Sequence, residues 1–188
     1  SAAGVPSQAL GEIPKVVQGC LVCRDWHRPG PHNVATARLS LTFNEDVQYD
    51  LLFYRSVLWP GRGQITMQHL VDTCIRYDVT TVIPNKEEET LCSSITMAWI
   101  AHFGPMTTLT LDEETGMRGR LAMDWAATHN VELKFKAPRQ KAHLVERHNE
   151  LIRQGLHSTE SQMKREDLQV PFEQVLAIVV FAKNALTV

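Results

Sequence analysis

Three carboxylates, Asp50, Asp112 and Glu146, fall at positions from which they could act together. Asp50 lies in an alternating segment that predicts a β-strand, and Asp112 directly follows a β-rich run. Glu146 lies near the start of a long helical pattern. In a mixed sheet two such strands can be neighbours, and a helix packed across their ends can bring the third carboxylate to the same place.

Grouped carboxylates repel one another by several kcal/mol at low effective dielectric, so such a group needs cations. Carboxylate oxygens suit Mg²⁺ or Mn²⁺, and two such ions about 4 Å apart support in-line phosphoryl transfer. Spacing alone leaves a second interpretation open, in which these are scattered, solvated acids. The competing acids in the sequence are Asp72, Asp78, Glu113 and Glu114.

Cys20 and Cys23 form a Cys-x-x-Cys pair, which is half of a typical zinc site. No His or Cys lies upstream of Cys20 to supply the other half, so two thiols without a metal are the alternative. With four cysteines in all, the chain fits a reducing compartment better than a disulfide framework.

The elements that must position these residues fit one domain plus a small extra piece, since the chain has 188 residues. Its net charge of −2 argues against a uniformly basic nucleic-acid coat. The longest apolar run, residues 175–182, is too short for a membrane span, which needs about 20 residues. Because the first residue is Ser, we expect a piece cut from a longer polypeptide.

Periodicity predicts the element order β-β-β-α-β-α-β-α-α. Three strands come first as a meander, and strands then alternate with helices, which predicts a mixed sheet covered by helices. In the first strand, alternation places Asp50 on the opposite face from Tyr49 and Leu51. The predicted strands are near residues 47–54, 65–74, 79–84, 107–111 and 131–135, and the predicted helices near 86–103, 120–129, 144–163 and 172–186.

Several linked segments resemble the catalytic core of retroviral-type integrases, in the version carried by gypsy-type long-terminal-repeat retrotransposons. They occur in the family's order over about 120 residues, and the interval between Asp112 and Glu146 is close to that of the family. The segments are residues 48–51, 69–77, 82–84, 99–105, 111–116 and 145–149.

The resemblance implies an RNase H-like α/β fold, with a mixed five-stranded sheet flanked by helices. It implies that Asp50, Asp112 and Glu146 are catalytic and hold two Mg²⁺ or Mn²⁺ ions, and that the chain trims element 3′ ends and joins them to target DNA. The metals would activate a water or a 3′-hydroxyl and stabilise the leaving oxygen, with no covalent enzyme intermediate.

The resemblance also implies DNA contacts around Glu146. Basic side chains there could neutralise phosphates, whereas the alternative is a solvated helix face that pairs with nearby acids. The expected DNA-binding residues are Lys136, Arg139, Lys141, Arg147, Asn149 and Arg153.

Further expectations concern the boundaries and the setting of the chain. Residues 1–38 are expected to be the remnant of an N-terminal zinc module with its linker, and residues 39–188 the catalytic core. Cys20 and Cys23 would then bind Zn²⁺ only with residues upstream of this chain. We expect a homo-oligomer without membrane contact, active on DNA in the nucleus after passing through the cytoplasm.

Two departures from the family pattern predict reduced activity. Glu113 and Glu114 follow the second aspartate, where the family often has Asn-Gly, and His143 stands where it favours glycine. A glycine lets the active-site loop flex, so we expect His143 to stiffen the loop or narrow the DNA channel. Two other functions compete: a decayed or domesticated domain that binds nucleic acid without cutting, and an RNase H-type nuclease acting on hybrids.

Overall fold

The computed structural model describes residues 7–20, 40–112, 116–136 and 143–186. Its centre is a five-stranded sheet in the spatial order β3-β2-β1-β4-β5. The first three strands pair antiparallel, whereas β1–β4 and β4–β5 pair parallel. The strands are β1 (Asp46–Arg55), β2 (Gln64–Asp72), β3 (Asp78–Val82), β4 (Thr108–Asp112) and β5 (Glu132–Lys136). The predicted mixed sheet is confirmed.

Helices cover both faces of this sheet. The second helix continues through a π-helical turn, Thr96–Ile100, and a last turn, Ala101–Phe103. The helices are α1 (Ser7–Gly19), α2 (Glu88–Ile95), α3 (Arg120–His129), α4 (His143–Arg165) and α5 (Phe172–Leu186). The sequence did not predict α1, because this segment is small, polar and interrupted by proline and glycine, and the helix contains Pro14. Among the described residues, no helix is long and apolar enough to cross a membrane.

One face of the sheet is an apolar core under α2 and α3. Tyr49, Leu70 and Leu111 are fully buried there against Trp99 and its neighbours. Because side chains alternate along a strand, Asp50 and Asp112 point to the other face. The alternation predicted for β1 is therefore confirmed.

The other face carries α4 and α5. Leu52 of β1 packs there with Ile152 of α4 and Val175 of α5. The two helices approach closely at Gly155, where an added Cβ would lie 2.6 Å from Val179 Cγ1. Glycine is therefore required for this spacing. The close packing fixes α4 along β1, and α4 carries Glu146.

Candidate active site

The parallel pairing of β1 and β4 sets Asp50 and Asp112 side by side. Tyr49 pairs with Leu111, and the two aspartates are the next residues of each strand. Burial raises the pKa of Asp50, and the negative charge of Asp112 raises it further, against hydrogen bonds that lower it. The charge of Asp112 therefore makes ionisation of Asp50 more costly, which a bound cation would reverse.

Glu146 reaches the same end of the sheet from the first turn of α4. That turn is held down because Val145 N donates to Gln48 Oε1 at 3.2 Å. One turn further, Asn149 Nδ2 donates to Asp50 Oδ2 at 2.5 Å. Since residues three apart share a helix face, Glu146 and Asn149 both face this end of β1.

Lys136 lies among these acids. It ends β5 and pairs with Asp112 in the ladder. Burial lowers the pKa of Lys136, whereas the charges of Asp46, Asp112 and Glu146 raise it. Asp112 and Glu146 therefore share one cationic neighbour. The sequence alone did not predict an ammonium group between the proposed metal ligands, because it places Lys136 only in a basic loop.

The donor set fits a hard divalent cation, although the arrangement is incomplete. Asp50 and Asp112 offer adjacent carboxylate oxygens, the ligand type that Mg²⁺ prefers. Within the part of the chain that the structure describes, no three His, Cys, Asp or Glu side chains stand close enough to hold one ion. Two of the expected ligands are thus brought together by the sheet, and Glu146 and Asp112 both lie near Lys136.

The competing aspartates have other partners. Asp72 is fully buried and accepts hydrogen bonds from Cys74 N at 3.0 Å and Ile75 N at 2.8 Å, so it shapes the turn after β2. Asp78 is buried beside two histidines and a lysine. The rival acids Glu113 and Glu114 lie outside the described residues.

Of the four remaining predicted DNA-binding residues, two lie among the described residues. Arg147 is exposed on α4, and Arg153 forms a surface ion pair with Glu150 at 3.7 Å. Such a pair contributes little to stability and leaves the arginine available. Arg139 and Lys141 lie outside the described residues. Their proposed contact with DNA stays a prediction.

The cysteine pair is likewise half described. Cys20 follows α1, and its N–H donates to Val16 O at 3.0 Å. Cys23 lies outside the described residues, so zinc binding stays a prediction. His143, where the family pattern favours glycine, is the first residue of α4.

Sequence reasoning missed a group of buried polar residues next to Asp50. His69 on β2, which is the ladder partner of Asp50, places Nδ1 2.6 Å from Asn149 Oδ1. His148 on α4 places Nδ1 2.8 Å from Asp78 Oδ1. A histidine in a predicted strand, followed by Leu70 and Val71, was the available signal, because buried polar groups require partners.

Comparison with known proteins bears on the fold. No protein-family model matches the chain, and no curated protein sequence matches it. Among solved structures, it is similar to a chain of the simian T-cell lymphotropic virus intasome in complex with PP2A regulatory subunit B56 gamma, at 17% identity and a TM-score of 0.68. That match covers 95% of this chain but only 61% of the intasome chain.

Two further structures are of the HTLV-2 integrase catalytic core domain in complex with magnesium. The trimeric form matches at 14% identity and the dimeric form at 15%, each with a TM-score of 0.60 over 76% of this chain. The matches cover 86% and 87% of those core domains. The chain therefore has the RNase H-like fold of the integrase catalytic core, as the sequence predicted.

Proposed function

We propose that this chain is the catalytic core of a retrotransposon integrase, a polynucleotidyl transferase and endonuclease that processes 3′ ends and joins them to target DNA. The observation that carries the proposal is that Asp50 and Asp112 each follow the last paired residues, Tyr49 and Leu111, of neighbouring parallel strands, while Asn149 of α4 donates to Asp50. This occurs in a chain with the fold of an integrase core.

In this proposal Asp50, Asp112 and Glu146 would hold Mg²⁺ or Mn²⁺, two ions in all. When bound, the ions would activate the attacking water or 3′-hydroxyl and stabilise the leaving oxygen. Asn149 orients the Asp50 carboxylate by its hydrogen bond. Lys136 supplies positive charge near Asp112 and Glu146 and would also attract a DNA phosphate.

The DNA is proposed to lie over the start of α4. Exposed Arg147, with Arg153 one and a half turns later, would neutralise phosphates, as would Arg139 and Lys141. Contacts of this kind fix the register of the DNA without reading its sequence. Binding should therefore weaken steeply as salt rises.

We further propose a homo-oligomer whose copies meet through α5 and β3. A cavity of about 780 Å³ opens between these elements and the end of α2, and Phe181 beside it is 75% exposed. Large exposed apolar patches often mark protein interfaces, and a protruding ring beside a hollow suits a self-complementary pair. The HTLV-2 cores are themselves dimeric and trimeric forms.

Light scattering on the purified chain tests this assembly. Phe181→Lys should convert the oligomer to a monomer, whereas Leu41→Lys, at a site that is 93% exposed, should not. An unchanged mass for Phe181→Lys would place the contact elsewhere. With DNA as substrate, the proposed place of action is the nucleus, reached through the cytoplasm, and the proposed source is a gypsy-type element.

A second candidate function is a domesticated integrase-like domain that binds nucleic acid without catalysis. The observation that favours it is Lys136, whose ammonium group lies near Asp112 and Glu146, so that their charges raise its pKa against the burial that lowers it. The described carboxylates also form no group of three ready for one ion. Such a domain would keep the fold and the DNA contacts while losing transfer.

A strand-transfer assay with Mn²⁺ separates the two functions. Wild type should join oligonucleotide 3′ ends to target DNA, and Asp112→Asn should reduce the product at least about 100-fold, since losing even an outer partner of a metal ligand costs that much. Asp124→Asn, an exposed aspartate on α3, is the matched control and should behave as wild type. If wild type and Asp112→Asn bind DNA equally and neither joins it, the non-catalytic function is correct.

A further inference from the structure

A continuous series of buried polar groups leads away from Asp50 into the protein. Asp50 accepts from Asn149 Nδ2 at 2.5 Å, and Asn149 Oδ1 lies 2.6 Å from His69 Nδ1. The opposite ring nitrogen, His69 Nε2, lies 3.5 Å from Asp78 Oδ1. The series therefore links β1, α4, β2 and β3 through side chains, and Asn149, His69 and Asp78 are all buried.

Asp78 is the far anchor of this series, and it is held from three directions. His148 Nδ1 lies 2.8 Å from its Oδ1, and Lys183 Nζ of α5 lies 2.7 Å from its Oδ2. Asn184 brackets its backbone, donating to Asp78 O at 2.8 Å and accepting from Asp78 N at 2.8 Å. Burial acts to raise the pKa of Asp78, but hydrogen bonds from His148 and His69 lower it overall, so the carboxylate stays ionised.

The orientation of the Asn149 amide decides which groups in the series donate and which accept, because the amide could in principle be rotated by 180°. With Nδ2 toward Asp50, a carboxylate receives a donor, and Oδ1 then requires a donor from His69. His69 supplies it only when Nδ1 carries a proton and the ring is held in this rotamer. Asp78 Oδ1 lies 3.5 Å from the other ring nitrogen, and this carboxylate attracts the ring, and so keeps Nδ1 on Asn149, when Nε2 carries a proton as well.

We propose that His69 and Asp78 are positioning residues for the candidate site: they fix the Asn149 amide with its Nδ2 toward Asp50, and so aim the Asp50 carboxylate at a divalent cation. This inference rests on the proposed function. Neither residue would touch metal or DNA. They act through Asn149, as outer partners act on metal-ligating groups elsewhere.

Packing alone does not account for the series. A buried ion pair and two buried histidines are often matched in stability by apolar residues of similar volume. On the opposite face of β2, Leu70 is fully buried in an apolar core and needs no polar partner. A polar series that ends on Asp50 is explained if it fixes the orientation of the Asp50 carboxylate for ligand binding.

Mn²⁺ titration followed by electron paramagnetic resonance tests the inference on wild type, His69→Leu and His69→Asn. His69→Leu keeps volume but has no donor, and it should bind Mn²⁺ about tenfold more weakly. His69→Asn places an amide N–H near the position of Nδ1 and should recover most of the affinity. The control is Gln68→Met, a buried polar-to-apolar change on the other face of β2, which should bind as wild type.

A second measurement requires neither metal nor DNA. Nitrogen-15 spectra of the wild-type chain should show a proton on His69 Nδ1 and a slowly exchanging Asn149 side-chain amide. In His69→Leu and Asp78→Asn that amide should exchange faster and shift, while thermal unfolding shows that each variant is folded. A merely structural role would alter the unfolding temperature and leave the Asn149 amide as it was.

The outcomes separate this inference from the proposed function. If wild type binds Mn²⁺ and His69→Leu binds it equally well, the positioning role is wrong and the proposed function stands. If wild type binds no Mn²⁺ but the Asn149 amide responds to both variants, the positioning of Asn149 stands and the metal site fails. An Asn149 amide that ignores both variants overturns the inference.

Discussion

Two carboxylates, Glu160 and Asp50, lie where α4 packs against β1, one near each end of the contact. They differ in their hydrogen-bond donors and in the charge of their neighbours. Glu160 is 0% exposed and accepts three hydrogen bonds, from Tyr54 Oη at 3.0 Å, Ser56 Oγ at 2.6 Å and Val57 N at 2.8 Å. Asp50 is only partly buried. Among the described residues, it accepts from the adjacent Leu51 N–H and from Asn149 Nδ2.

The difference lies in the neighbouring charge as much as in the donors. Burial raises the pKa of Tyr54, and the Glu160 carboxylate raises it further, so the phenol remains a donor. Asp50 instead faces Asp112, a second acid. The acceptor atoms of Glu160 are thus matched by donors, whereas Asp50 lies beside a second carboxylate that opposes its ionisation.

The largest expected effect is at the Glu160 end. Glu160→Ala leaves two buried hydroxyls and the partly buried Val57 N–H without an acceptor. At about 1–3 kcal/mol for each buried group and less for Val57, it should lower the free energy of unfolding by about 3–6 kcal/mol. Urea denaturation measures this loss. Glu150→Ala on the exposed side of α4 is the control and should change stability by less than about 0.5 kcal/mol.

A loss below about 1 kcal/mol for Glu160→Ala would break the comparison. It would mean that water reaches these donors and that the two ends of α4 are equally open. Glu160→Gln should fall between wild type and the alanine variant, because its amide oxygen still accepts while its amide nitrogen meets a donor.

A smaller effect of opposite sign is expected at the Asp50 end. In EDTA at pH 7, Asp50→Asn should raise the free energy of unfolding by up to about 1 kcal/mol. The substitution removes a carboxylate whose ionisation is disfavoured by burial and by Asp112, and solvent screening reduces the gain because Asp50 is only partly buried. Thermal unfolding of both proteins gives the difference. Asp124→Asn, which loses an exposed charge, is the control and should change little.

The pH dependence has a fixed sign. Because the pKa of Asp50 is raised on folding, its contribution to stability is present below its unfolded pKa and is lost as pH rises through the folded pKa. The advantage of Asp50→Asn should therefore shrink as pH falls from 7 toward 4. An advantage that grows with acidity would show instead that folding lowers the pKa of Asp50, which would contradict this comparison.

The sequence predicted the strands and helix that carry Asp50 and Glu160, but not the partners of these two carboxylates. Alternation around Tyr49 and Asp50 fixed which face of β1 carries the acid, and the β-rich run before Asp112 gave the neighbouring strand. Helical periodicity located α4 to within two residues at its described ends. These signals are local, and local pattern is what a sequence displays directly.

The partners could not be predicted because they join distant segments. Asn149 meets His69 and Asp50, and Glu160 meets Tyr54, only once α4 has docked on the sheet. Lys136 was assigned to DNA from its neighbours in the chain, although strand pairing places it beside Asp112. Helix α1 was missed for a different reason, since its segment is polar and interrupted by proline and glycine, Pro14 among them.

The smallest expected effect concerns two buried amides that flank the same sheet. Asn149 has a partner at each end of its amide, whereas Gln68 on the α2 face of β2 has no hydrogen-bond partner for either atom among the described residues. Burying an unpaired amide costs free energy that an apolar side chain of similar shape does not. Gln68→Met should therefore raise the free energy of unfolding by about 0.5–1 kcal/mol in urea denaturation, whereas Asn149→Leu should lower it by leaving His69 and Asp50 without their shared partner. A destabilised Gln68→Met would mean that Gln68 finds partners in solution, and the α2 face would then contain a polar contact comparable to the one that holds Asp50.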